Sequence, residues 1–243
     1  MDAHGDTNTR KPGLVRQGCG LCSLYELCWP IGLGPSDLDR LQAIVRPAGP
    51  LAAGSILFRA GDPFTAIYAV RSGCIKSYSI DAGGHELVHG FHLRGEVLGF
   101  DAVYPDHHRC NALLLESSSF CVIPYQDIAR LSAKFQSLHD RVLRLMGREF
   151  SRQLMLAEGV SATQRIARFL LDMRSRLCMA SEVEYELTLP MSREDIANYL
   201  GITPETLSRL VGKLERNGLI DTDRRHIFLA DPIRLDLIAQ GVN

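Results

Sequence analysis

Ser192-Arg193-Glu194-Asp195-Ile196-Ala197-Asn198-Tyr199-Leu200-Gly201-Ile202-Thr203-Pro204-Glu205-Thr206-Leu207-Ser208-Arg209 reads as two short helices joined by a tight turn. Ser192 is a good helix cap, and Glu194 and Asp195 suit the positive end of the helix dipole. Ile196, Ala197 and Leu200 supply an inward face, and Gly201 permits the turn. Thr203 caps the second helix with Pro204 at its first position, where a missing donor costs nothing, and Asn217-Gly218 is a stop signal. Leu207, Leu210, Val211 and Leu214 fall at i, i+3, i+4 and i+7, so the opposite side, with Glu205, Ser208, Arg209, Gly212, Lys213 and Arg216, faces out.

That outward side suits a helix lying in the major groove of DNA: base-reading groups near its N-terminus, cations for phosphate further along. Arg209 can grip guanine O6 and N7, Glu205 can accept from a cytosine amino group, and Ser208 can adjust to either partner. Thr203, Glu205, Thr206, Ser208, Arg209, Lys213 and Arg216 are the candidate DNA-contacting residues. Residues 220–223 and 226–229, joined through Arg224-Arg225, read as a β-wing lying along the backbone. Net charge, at −1, gives nucleic acid no support, so any basic surface is local.

Upstream, residues 135–159 carry a helical pattern with two apolar stripes. Leu138, Val142 and Leu145 form one; Leu143, Met146, Phe150 and Ala157 form another, rotated around the same helix. One stripe packs on its own domain. The second needs another surface: most simply the twin helix of a two-fold dimer, or else burial on both sides within one chain. A further helix from Ala162 to Cys178 leads into the reading head.

Between Leu51 and Pro124 the pattern turns to short β-rich runs punctuated by glycine: 56–58, 66–70, 74–80, 86–92, 111–115 and 120–123, with Asp81-Ala82-Gly83-Gly84 as a hairpin turn. Such spacing predicts a small β-barrel or sandwich. His85, His89, His92, His107 and His108 have no carboxylate or serine partner at a recognisable spacing and read as surface or hydrogen-bonded residues. A short helix from Pro35 is expected, capped by Ser36 and answered by Asp39.

Cys19-Gly20-Leu21-Cys22-Ser23-Leu24-Tyr25-Glu26-Leu27-Cys28 crowds three soft ligands into one segment after a polar, glycine-containing lead-in. The lead-in has no apolar stretch and so reads as neither signal nor transit peptide; with no apolar run long enough for a membrane, the protein is expected in the cytoplasm. In a reducing compartment an odd set of seven cysteines points to metal or redox chemistry rather than disulfides. Zinc and iron–sulfur centres both want four ligands, so spacing alone leaves the metal and the fourth ligand open. A thiol redox enzyme is the reading from another class, but no nucleophile, base and orienter can be assembled.

Taken together, the chain resembles the cyclic-AMP receptor/FNR superfamily of transcription regulators, and within it the oxygen-sensing fumarate-and-nitrate-reduction (FNR) branch. The residues that carry this are Cys19, Cys22 and Cys28, Gly99-Phe100-Asp101-Ala102, Cys121-Val122-Ile123-Pro124, Arg144-Leu145-Met146, Asn198-Tyr199-Leu200-Gly201 and Glu205-Thr206-Leu207-Ser208-Arg209. The resemblance implies an α+β chain: a metal-sensing segment over 1–34, a double-stranded β-helix of the cyclic-nucleotide-binding type over 35–134, a dimerisation helix over 135–160 and a winged helix-turn-helix over 161–243.

It further implies a [4Fe-4S] cluster on Cys19, Cys22, Cys28 and Cys121, and no enzyme activity. A homodimer would read a TTGAT/ATCAA site and meet RNA polymerase, with Asp81 to His85 as a candidate contact. Cys74, Cys110 and Cys178 match no ligand and read as small core residues. A cyclic nucleotide is the rival effector; Gly95-Glu96 is present, but Arg109 is followed by Cys110 rather than serine or threonine. Where the branch carries an acidic residue on the pairing face to oppose dimers without the cluster, this chain has Gln153, so cluster-free protein is expected to retain more dimer.

Overall fold

The computed structural model describes Cys19, Cys22, Cys28 and residues 33–154, 160–177 and 185–242. Helix α1 (Pro35–Ile44) precedes eight strands: β1 (Arg46–Leu51), β2 (Ile56–Phe58), β3 (Ala66–Ser72), β4 (Ile75–Ile80), β5 (Glu86–His92), β6 (Val97–Leu98), β7 (Asn111–Leu114) and β8 (Ser118–Pro124). They form two antiparallel four-stranded sheets, ordered β1-β8-β3-β6 and β2-β7-β4-β5. Phe58, Val70, Ile75, Leu98, Ala112 and Leu114 fill one apolar cluster of this jelly roll.

Alternation along β3 and β8 sends a second set of side chains the other way. Ile67 pairs with Ile123 and Ala69 with Cys121, and all four join a core with Leu41 of α1, Ile128 of α2 (Tyr125–Ser132) and Leu138 and Leu145 of α3 (Gln136–Leu154). One β-sheet thus has its outer face roofed by helices.

Two expectations change here. Ser36 does not cap α1; Gly34 is the cap residue and Pro35, with its fixed φ, starts the helix one position earlier, leaving the Ser36 hydroxyl to accept from Arg40. Strand β1 is absent from the sequence reading because Pro47, Gly49 and Pro50 argue against a strand, yet it lies at the sheet edge, where a missing donor is tolerated.

In α3, Leu138 and Leu145 are buried while Leu143, Met146 and Phe150 are 54%, 37% and 66% exposed, so the two stripes part as their phases require. The side chain of Gln153, all of Ala157 and Cys178 lie outside the described residues.

The reading head comprises α4 (Ala162–Leu177), β9 (Glu186–Thr188), α5 (Arg193–Tyr199), α6 (Pro204–Arg216), β10 (Asp221–Asp223), β11 (His226–Phe228) and α7 (Pro232–Gln240). Ser192 and Asp195 form a reciprocal capping box, Thr203 accepts from the Thr206 N–H, and Gly201 takes φ 62° in the turn. The wing gains a third strand, β9, pairing β11.

Among the described residues no helix is long and apolar enough to cross a membrane.

Candidate metal centre and nucleic-acid interface

The pleat of β8 puts Cys121 on the helix-covered face of its sheet. Cys121 shares the helix-covered face with Ile123, and Cys28 packs into the same cluster. Cys19 and Cys22 close a single turn through the Cys22 N–H and the Cys19 carbonyl, 3.3 Å. All four cysteines are half-buried.

Burial pushes the Cys121 thiol up to about 12, with further upward pressure from Cys28, Cys19 and Cys22 and relief from Arg71. Cys19 is raised by burial and then by Cys22, again relieved by Arg71. Cys121 therefore feels all three of the N-terminal cysteines, and Cys19 feels Cys22. Among the described residues, though, no three His, Cys, Asp or Glu side chains converge tightly enough to hold an ion. Cys74 and Cys110 are buried in the barrel with thiols driven far up by burial, and they read as packing residues.

The outward face of α6 is open. Glu205, Ser208, Arg209, Lys213 and Arg216 are exposed, Thr206 half-buried, and Leu207, Leu210, Val211 and Leu214 buried. Thr203 and Thr206 also join by their hydroxyls at 3.1 Å, so both shape the helix start as well as facing its ligand side. The Glu205 carboxyl is held below its usual value by its own backbone N–H and by Thr203, which keeps it an acceptor. At the wing tip Arg224 sits at φ 55°, a conformation costing a non-glycine residue roughly 1–2 kcal/mol.

The contacts that seat this head on the barrel have no counterpart in the sequence reading. Lys76 donates to Asp195 at 2.7 Å and to Glu86 at 2.8 Å. Asn198 serves the free edge of β5 twice, accepting from the Val88 N–H at 2.8 Å and donating to the Glu86 carbonyl at 2.7 Å. Phe91, Phe169 and Tyr199 meet at centroid distances of 5.3–6.4 Å.

Glu96 lies at the centre, 6% exposed, accepting from Arg152 at 2.5 Å, from Arg176 through two nitrogens at 2.9 and 2.7 Å and from the Leu93 N–H at 3.0 Å. Arg176 also donates to the Phe91 carbonyl and to Asp172. Burial opposes ionisation of Glu96, but the two guanidiniums outweigh it and hold the carboxyl down at about 2. Asn198 and the Gly95-Glu96 pair could have flagged this seam only as polar residues in apolar surroundings.

A cavity of about 420 Å³ opens between the barrel and α3, with Ser77, His89, His92, Asp101, Arg109 and Glu149 among its lining. Glu96 does not line it: its oxygens are taken by Arg152 and Arg176, so the Gly-Glu pair offers nothing to a nucleotide. His89 and His92 instead bond to Ser79 and Ser77, and His108 stacks on Phe58.

The comparisons with known proteins agree on both halves. Residues 164–238 match the Crp-like helix-turn-helix domain, and residues 50–135 the cyclic nucleotide-binding domain. Electron transport regulator A of Shewanella oneidensis is 37% identical over 91% of this chain and 90% of its own length. The fumarate nitrate reduction regulatory protein of Klebsiella oxytoca is 38% identical over 91% and 89%. Among solved structures, FixK2 from Bradyrhizobium japonicum superposes with a TM-score of 0.69 at 25% identity, covering 79% of this chain and 94% of that one.

Proposed function

The chain belongs to the FNR branch of the cyclic-AMP receptor/FNR superfamily of transcription regulators, and on that premise we propose that it senses oxygen through a [4Fe-4S] cluster held by Cys19, Cys22, Cys28 and Cys121. It is a DNA-binding regulator of the anaerobic response, not an enzyme. The observation that carries the sensing reading is the packing of half-buried Cys28 and Cys121 into one cluster, with Cys19 and Cys22 within electrostatic reach of Cys121.

The donor set fits the group. Four soft sulfurs, two of which, Cys28 and Cys121, pack on the apolar helix-roofed face, suit an iron–sulfur centre. When bound, the cluster supplies an oxygen-labile redox centre. The residues do the rest: Arg71 offsets thiolate charge at Cys19 and Cys121, and the β8 pleat sets Cys121 on the face where Cys28 packs.

The test is protein purified without air. Iron and acid-labile sulfide at about four each per chain support the reading, and one metal ion without sulfide would replace it with structural zinc.

As a reader in the cytoplasm the protein works as a homodimer on a two-fold TTGAT/ATCAA site, with half-sites roughly 34 Å apart. The Asp81–His85 turn, ordered by the Asp81 carboxylate on the Gly83 and His85 N–H groups, is offered to RNA polymerase. Arg209→Ala is expected to cost about 1–3 kcal/mol and to relax preference at the guanine, whereas Lys213→Ala weakens all sequences alike and flattens the salt dependence. A binding titration over operator variants at several salt concentrations separates the two, and a uniform loss in Arg209→Ala would reassign it to phosphate.

Pairing through Leu143, Met146 and Phe150 of both chains, about half of whose surface is still exposed in the single chain, gains on the order of 5–9 kcal/mol gross. Association costs roughly 4–15 kcal/mol, so the balance is close enough to switch. Gln153 adds no charge to that face. Cluster-free protein is therefore expected to keep appreciable dimer in sedimentation, and Gln153→Asp to lose it; equal, fully monomeric behaviour of the two would refute the role of this position.

A further inference from the structure

The reading head keeps an apolar space of its own. A cavity of about 310 Å³ opens between α4, α6 and the wing, with Phe169 and Leu170 of α4, Leu207 and Val211 of α6, Leu189, and Ile227 of β11 in its lining. All six side chains are buried. A close-packed interior has few voids larger than a water molecule, so a space of this size is a pocket and not slack between side chains.

The exposed part of the lining is cationic. Arg193 at the start of α5, and Arg224 and Arg225 in the turn between β10 and β11, are exposed and line the same cavity. Among the described residues none of these three guanidiniums forms an ion pair; Arg225 reaches only the Pro190 carbonyl, at 3.4 Å. Asp195, the nearby acid on α5, is taken by Lys76 and by the Ser192 hydroxyl.

Interior, mouth and volume each limit the ligand. The apolar interior calls for hydrocarbon, and the guanidinium fork matches a planar carboxylate. A dry apolar cavity of about 150 Å³ takes one benzene, so 310 Å³ takes roughly twelve carbons, one alkyl chain and not the two of a phospholipid. We propose that this cavity binds a single-chain fatty acid of roughly ten to twelve carbons, its chain against Phe169, Leu170 and Val211 and its carboxylate on Arg193, Arg224 and Arg225.

Such a ligand lies between the recognition helix and the wing, since Leu207 and Val211 belong to one and Arg224 and Arg225 to the other. Carboxylate and DNA phosphate then draw on the same wing cations, and the two bind in competition. This consequence, though not the site, rests on the wing lying along the DNA backbone.

The experiment titrates the full chain, purified without air, with decanoate, decanol and acetate by calorimetry, with no DNA present and below the concentration at which micelles form. Decanoate is expected to saturate at one per chain and to bind about tenfold or more tightly than decanol, the size of a hydrogen bond to a charged group. Acetate should not bind. The combined variant Arg193→Gln, Arg224→Gln and Arg225→Gln changes only exposed side chains and should bring decanoate down to the affinity of decanol. Val211→Phe fills the cavity and should abolish binding of both, its fold being checked by thermal melting.

Absence of saturable decanoate binding overturns the proposal. So does equal binding of decanoate and decanol to wild type, or unchanged decanoate affinity in the arginine variant. Full binding in a folded Val211→Phe puts the ligand elsewhere and overturns it as well; should that variant fail to fold, the arginine variant still decides. Saturating decanoate is further expected to weaken wild-type binding to duplex DNA about tenfold, and an unchanged affinity overturns the competition.

Discussion

Cys121→Ser is expected to leave protein purified without air with essentially no iron or acid-labile sulfide, against about four of each in the wild type. Serine keeps the size of the side chain but replaces a soft thiolate with a hard hydroxyl that does not ionise near neutral pH. The same loss is expected at Cys19, Cys22 and Cys28, whereas Cys74→Ser and Cys110→Ser keep the cluster because Cys74 sits in the cluster shared with the reading head and Cys110 in the barrel core, both apart from the Cys121 cluster. Metal and sulfide assays with visible absorbance on the six variants decide this. Full content in Cys121→Ser would hand the fourth position to another residue.

Glu96→Ala is expected to destabilise the chain by roughly 3–5 kcal/mol, the usual cost of removing one partner from a buried ion pair, because Arg152 and Arg176 lose the buried carboxylate between them and keep only the more exposed Glu149 and Asp172. For a chain of this length that lowers the melting temperature by about 10 °C.

The pH dependence follows from the carboxyl being held at about 2. Its folded value lies below its unfolded one, so its contribution is complete above the ordinary carboxylate range and is lost as pH falls from about 4.5 toward 2. At ~1.4 kcal/mol per unit this one group accounts for about 3 kcal/mol of acid sensitivity. Denaturant titrations from neutral to acidic pH should show that slope in wild type and its loss in Glu96→Gln. A Glu96→Ala protein within about 1 kcal/mol of wild type would mean that the two arginines find other partners.

How the helix-turn-helix could be read in advance, and the seam beneath it could not, is a matter of distance along the chain. The Ser192 cap, the Gly201 turn, the Thr203-Pro204 start and the Leu207-Leu210-Val211-Leu214 face are settled within four to seven residues, so propensity and periodicity contain them. The same holds for the hairpin at Asp81 and for the two stripes of α3. Strand β1 escaped because its prolines are acceptable only at an edge, and being an edge is a property of the whole sheet.

The sequence by itself therefore determined most of the barrel strands, the helix-turn-helix, the open face of its second helix and the presence of a three-thiol segment. The resemblance added Cys121 as an expected ligand, and the tertiary structure alone decided that the β3–β8 register puts Cys121 on the helix-covered face that also receives Cys28. It alone decided that Glu96 meets arginines 56 and 80 residues away instead of a ligand, that Asn198 closes the edge of β5 and that Arg141 reaches the Cys28 carbonyl. Such contacts depend on which face of an element is buried and against what, and a charged side chain carries the same letter whether it ends in water or in a buried pair.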